Sequence, residues 1–128
     1  MSRNHAAAIA LLALRIGYGA ALIVAPERLA RRWLGPEAGR APTQVPLRAL
    51  GAREVVLHGG ALRALLGAAP VRPWLLASIA GDLTDMLATA VGREQLPEGA
   101  AAATAAVGGG SALLTALLAV NLPLTRRR

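Results

Sequence analysis

The sequence predicts an all-α protein: a four-transmembrane-helix bundle with a short amphipathic segment at the membrane interface after the first helix. Three observations carry that prediction. The 128 residues are 55% hydrophobic and only 16% charged, with a mean hydropathy of +0.47. A soluble domain carries about a quarter charged residues, so charge has been removed more than apolarity has been added. Four apolar stretches, at residues 6–25, 47–69, 74–91 and 99–124, are each about long enough to cross a hydrocarbon core of roughly 30 Å at 1.5 Å per residue. Proline, glycine and arginine gather between those stretches, and the length leaves room for one domain.

The first stretch, Ala6 to Ala25, holds a single charge, Arg15. That arginine splits the run where the apolar centre of a secretory signal would be unbroken, so the stretch reads as a span. Pro26 ends it, because a proline ring cannot continue the helical ladder. From Pro26 to Gly35 the chain reads PERLARRWLG. In an interfacial helix, Leu29, Trp33 and Leu34 would face acyl chains while Arg28, Arg31 and Arg32 reach headgroups. Gly39, Pro42 and Pro46 mark a loop over residues 36–46.

The second stretch, Leu47 to Ala69, is the most polar, with Arg48, Arg53, Glu54, His58 and Arg63. It can span only if Arg48 and Arg63 snorkel to the two interfaces and the central groups pair inside a bundle. Pro70 and Pro73 form a turn into the third stretch, Trp74 to Val91, which carries Asp82 and Asp85. Residues 92–99 connect to the uncharged, Ala-rich fourth stretch, and Arg126 to Arg128 close the chain. Small residues four apart, Ala13 with Gly17, Ala77 with Gly81 and Ala105 with Gly109, are compatible with close helix packing. Four spans put both termini on one side. The positive charges of the two sides nearly balance, and the terminal arginines beside the last span point to a cytoplasmic side in the plasma membrane.

All fourteen cations are arginine, against seven carboxylates, for a net charge of +7. They lie at the ends of apolar runs, which suits anionic headgroups, and the 2% aromatic content leaves no base-stacking surface; nucleic acid is not an expected partner. With no cysteine there is no disulfide, thiolate metal site or cysteine nucleophile. No phosphate-cradling loop or nucleophile elbow occurs, and one histidine with three carboxylates lacks the Glu-x-x-His repeat of carboxylate-bridged bundles. No cofactor and no metal is expected.

The informative residues are the ionisable ones inside the apolar stretches: Arg15, Arg53, Glu54, His58, Asp82 and Asp85. A charge in hydrocarbon is normally paired and is a functional-site hypothesis by default. At helical spacing Ser78, Asp82, Asp85 and Thr89 form one polar stripe. Glu54 and His58 lie one turn apart on a common face, Tyr18 lies one turn from Arg15, and Thr104, Ser111 and Thr115 line up with Gly108 between them. Two cations face three anions, with His58 as a titratable neighbour. Two readings stay open: interhelical ion pairs that fix packing, or a site for an ion or a small polar or amphipathic ligand.

Pro26-Glu27-Arg28, Trp33-Leu34-Gly35-Pro36, the run Arg48-Ala49-Leu50-Gly51-Ala52-Arg53-Glu54 and Asp82-Leu83-Thr84-Asp85 together resemble an uncharacterised actinobacterial family of four-helix membrane proteins. That family is similar in layout to the DoxX-like proteins. The resemblance implies a four-span bundle and no defined activity. Some DoxX-like members are linked to quinone-dependent redox complexes, but no cysteine or cofactor motif here carries that over. The expected function is a carrier, channel-like or small-ligand-binding membrane module. A non-catalytic accessory or scaffold subunit, with a second copy or a membrane subunit as partner, is the alternative. A membrane enzyme using Asp82 or Asp85 as acid or base on a quinone or lipid comes third.

Overall fold

The computed structural model describes residues 3–67 and 69–122. Among these, every regular element is helical: α1 (Arg3–Val24), α2 (Pro26–Leu34), α3 (Ala41–Leu66), α4 (Arg72–Val91) and α5 (Ala100–Asn121), with short 3-10 turns at Gly35–Gly39 and Arg93–Gln95. Three helices are long and apolar enough to cross a membrane: Asn4–Val24, Arg72–Val91 and Ala100–Asn121. α3 has the length, but Arg48, Arg53, Glu54 and Arg63 interrupt its apolar surface. The expected end of the last helix at residue 124 and the terminal arginines fall outside the described residues.

Pro26 separates α1 from α2 as its ring chemistry requires, and it then serves as a first-turn residue of α2. Glu27 in that first turn and Arg31 and Arg32 in the last complement the helix dipole. Gly35, at φ 60° and ψ −143°, ends the helix in a positive-φ conformation that glycine adopts readily. The expected loop over 36–46 is instead a 3-10 turn followed by the start of α3. Pro42 sits in the first turn, where its missing N–H has no partner to lose, and Pro46 costs the helix one early hydrogen bond on an exposed face. Pro73, expected in a turn, likewise opens α4. Leu29, Trp33 and Leu34 differ from their expected placement: they are half-buried against the protein's own helices, leaving Arg28, Arg31 and Arg32 outward.

The four long helices stand side by side. α1 packs along α3 and α4 along α5, α3 and α4 touch over a shorter length, and α1 and α5 barely meet. Two apolar clusters lie at opposite ends of this arrangement. One joins Ala8 and Leu12 of α1, Ala61 and Ala64 of α3, Leu75 of α4 and Ala119 of α5. The start of α1 and the end of α5 therefore share one end. The other cluster joins Ala30 of α2, Ala38 and Leu47, with Trp33 and Leu34 against them.

The outer surface inverts the usual order. Leu14, Leu76, Leu83, Leu87, Val91, Val107, Leu113, Leu117 and Val120 are exposed, while Glu54, His58, Ser78, Asp82, Thr89 and Thr115 are buried. Soluble monomers rarely expose contiguous apolar surface on that scale.

Candidate functional site

Arg15, Glu54, Asp82 and Ser111 each lie within a residue or two of the middle of their helix. Helical periodicity turns them inward, and one close approach sets their level. A Cβ added at Gly19 would come within 2.7 Å of the Glu54 Cβ and of the Gly51 carbonyl oxygen, and one at Gly51 within 2.9 Å of the Leu22 Cβ. Only glycine lets the two backbones come this near. Because α1 and α3 run antiparallel, one turn back from Gly19 is Arg15, and one turn on from Gly51 is Glu54. The glycine contact thus sets the arginine against the carboxylate. The Ala13–Gly17 pair does not do this: Gly17 has open space around it.

Arg15 is the hub. Its Nε donates to Glu54 Oε2 at 2.8 Å, and its Nη2 stands 2.7 Å from the same oxygen. Nη1 and Nη2 donate to Asp82 Oδ2 and Oδ1 at 3.0 and 2.7 Å, a forked, two-bond pairing of the kind guanidinium geometry favours. Nη1 also reaches the Ser111 hydroxyl. One side chain of α1 thereby ties α3, α4 and α5 together.

Arg53 makes a second fork. It donates to Asp85 Oδ1 at 3.2 Å and Oδ2 at 2.6 Å, and more weakly to Glu54 Oε1 at 3.4 Å. Gly81 makes room for this reach: a Cβ there would meet the Arg53 guanidinium carbon at 3.3 Å. The charges alternate along one chain, Asp82–Arg15–Glu54–Arg53–Asp85. Arg53 Nε and Trp33 Nε1 are buried without a hydrogen-bond partner.

His58 joins from beneath. Its Nδ1 lies 2.8 Å from the Glu54 carbonyl oxygen and its Nε2 2.9 Å from the Ser78 hydroxyl. A carbonyl only accepts, so Nδ1 carries the hydrogen. Nε2 accepts from the Ser78 hydroxyl when the ring is neutral and donates to it when the ring is charged, and Nδ1 also lies 3.5 Å from Glu54 Oε2. The network holds two arginines and three carboxylates, with His58 as the titratable member whose protonation would balance them.

All six predicted residues, Arg15, Arg53, Glu54, His58, Asp82 and Asp85, are thus brought together in one network. The stripe on α4 also turns inward, with Ser78, Asp82 and Thr89 buried and Asp85 half-open. Sequence reasoning placed Ser78 and Ser111 on polar lines without assigning them partners. It missed Gly19 and Gly51 altogether, for which the signal was a glycine on each helix one turn from a charge.

The cleft was not foreseen either. Where α1 and α5 diverge, a space of about 650 Å³ opens, roofed by Leu29, Arg32 and Trp33 of α2. Its walls are largely apolar, including Leu11, Leu14, Leu50, Val107 and Leu114. Arg15, Glu54, Asp82, Asp85 and Ser111 form its polar floor, with Tyr18 on the wall. A smaller pocket of about 440 Å³, bounded by Trp33, Leu47, Arg53 and Asp85 among others, lies beside it. Among the described residues, no three histidine, aspartate or glutamate side chains converge as a metal site. No family model, curated protein or solved structure matches this chain.

Proposed function

We propose that this chain is a four-span integral membrane protein of the plasma membrane, DoxX-like in layout, whose cleft binds a small amphipathic ligand. Its apolar body would lie against Leu11, Leu14, Val107 and Leu114, and its polar end would meet the charged floor. The observation that carries this reading is the cleft itself. Ion pairs kept only to fix packing gain from being sealed in apolar contacts, whereas here the charged network borders an open apolar space of ligand size.

The exposed apolar faces of α1, α4 and α5 support a lipid environment. α3 joins them as a fourth span in this reading. Its central charges are paired inward, and Arg48 and Arg63 lie towards its two ends, within snorkelling reach of the interfaces. The start of α1 and the end of α5 share one end of the bundle, which supports termini on a common side, and we assign that side to the cytoplasm. Arg28, Arg31 and Arg32 face outward at the opposite end, where anionic headgroups would meet them.

Two measurements test the reading. The expressed protein should remain in the membrane pellet after alkaline carbonate extraction; release into the supernatant would overturn the membrane assignment. In lipid nanodiscs, ω-bromodecanol should quench Trp33 fluorescence saturably in a Trp74→Tyr background, since Trp33 roofs the cleft. Filling the cleft with Ala103→Phe should abolish the saturable component. Quenching that rises linearly with partitioned alcohol, unchanged by Ala103→Phe, would overturn ligand binding. An accessory role for the same chain is favoured by the Arg15 hub, which ties all four long helices into one body.

A further inference from the structure

The charge of the floor narrows the class of ligand. We infer that the cleft takes an amphiphile with a cationic, amine-type head, whose ammonium group pairs with Asp85 while its apolar chain lies along α1 and α5. This rests on the ligand-binding reading above and adds the chemistry of the head.

Three features lead there. The network holds two guanidinium groups and three carboxylates, with His58 Nδ1 3.5 Å from Glu54 Oε2, so while His58 is neutral one negative charge is uncompensated. An uncompensated charge away from water is costly, and a cation placed beside it removes the cost. The carboxylates are not equally available. Glu54 and Asp82 are clasped by Arg15 with side-chain exposures of 4% and 8%, whereas Asp85 is 34% exposed and borders both the main cleft and the smaller pocket. Each Asp85 oxygen accepts one hydrogen bond from Arg53 and keeps a lone pair for another donor.

The cations near the cleft do not occupy that place. Arg15 is spent on Glu54, Asp82 and Ser111, and Arg32, although it lines the cleft, does so from α2 at the roof and not from the floor that holds Asp85. The two unpartnered donors, Arg53 Nε and Trp33 Nε1, are buried atoms and present no N–H to the cleft. An anionic head would meet Asp85 with like charge. The volume of about 650 Å³ lies within the range of small-molecule sites and accommodates an alkyl chain.

The test compares three probes of one chain length in nanodiscs of zwitterionic lipid, read by quenching of Trp33 in the Trp74→Tyr background: ω-bromodecylamine, ω-bromodecanol and ω-bromodecanoate. Each is referred to its own partitioning into the nanodisc. The amine should saturate at roughly a tenfold lower concentration than the alcohol, as a charge-assisted bond predicts, with the carboxylate weakest. Asp85→Asn should bring the amine back to the level of the alcohol, and Asp85→Glu should restore its advantage. Equal saturation by amine and alcohol, or tighter binding of the carboxylate, overturns the cationic assignment while leaving the cleft as a binding site. An amine preference that survives Asp85→Asn overturns the role of Asp85. Saturation by none of the three removes the ligand-binding reading itself.

Discussion

Two arginine–aspartate forks lie side by side in this protein and differ in their surroundings. Arg15 and Asp82, at the floor of the cleft, are nearly sealed by their partners, with side-chain exposures of 11% and 8%, whereas Arg53 and Asp85 stand at 32% and 34%. Both forks join neighbouring helices through two parallel hydrogen bonds. The sealed one has every partner supplied by the protein, from three other helices. The open one borders empty space, and its aspartate keeps unused acceptor capacity. Similar chemistry is thus divided between holding the helices together and presenting a charge, and burial makes the division.

The largest expected effect comes from breaking the sealed fork. Arg15→Ala leaves Glu54 and Asp82 as buried, unpaired carboxylates, a loss of about 3–5 kcal/mol. The variant should fail to accumulate, or should unfold at a markedly lower temperature in detergent by light scattering. Replacing both partners, Arg15→Leu with Asp82→Leu, should recover part of that loss because no orphan charge remains. If the single change is silent, the hub is not what holds α1 in place.

Gly51→Leu comes next. The new side chain would strike Leu22 and the backbone of α1 at Gly19, which separates α1 from α3 at about 1–3 kcal/mol or more. A cysteine cross-link between engineered positions on α1 and α3 should form more slowly in this variant. An unchanged rate would show that the glycine contact does not set the register.

Ser78→Ala sharpens the comparison by removing the hydroxyl partner of His58 Nε2, at a cost of about 1–3 kcal/mol for a buried hydrogen bond left unmade. Thermal unfolding should report it. The smallest stability effect belongs to the open fork. Asp85→Asn should cost no more than about 1 kcal/mol, in keeping with its exposure, yet it should change amine binding more than any variant of the sealed fork that still folds. A stability loss equal to that of Arg15→Ala would erase the distinction between the two forks.

Much of this was legible in the order of residues. Charges inside apolar stretches are rare enough that Arg15, Arg53, Glu54, His58, Asp82 and Asp85 stand out, and the 3.6-residue period alone puts Ser78, Asp82 and Thr89 on one buried face. Pro26 stops α1 by its ring chemistry wherever it occurs. Prolines misled at residues 42, 46 and 73, because a proline early in a helix and one in a loop look alike in sequence.

On α1, α3 and α4 the sequence by itself determined which charged side chains share an inward face, since the face of a residue on a helix follows from its number and the helical period; on α2 it did not. It determined as well that the outer surfaces of α1, α4 and α5 are apolar. Tertiary structure decided the height at which the helices meet, and so which arginine clasps which carboxylate. It also decided that α1 and α5 part to leave a cleft. Axial register depends on a backbone approach at Gly19 and Gly51, a contact between residues far apart in the chain, which no period within either helix encodes.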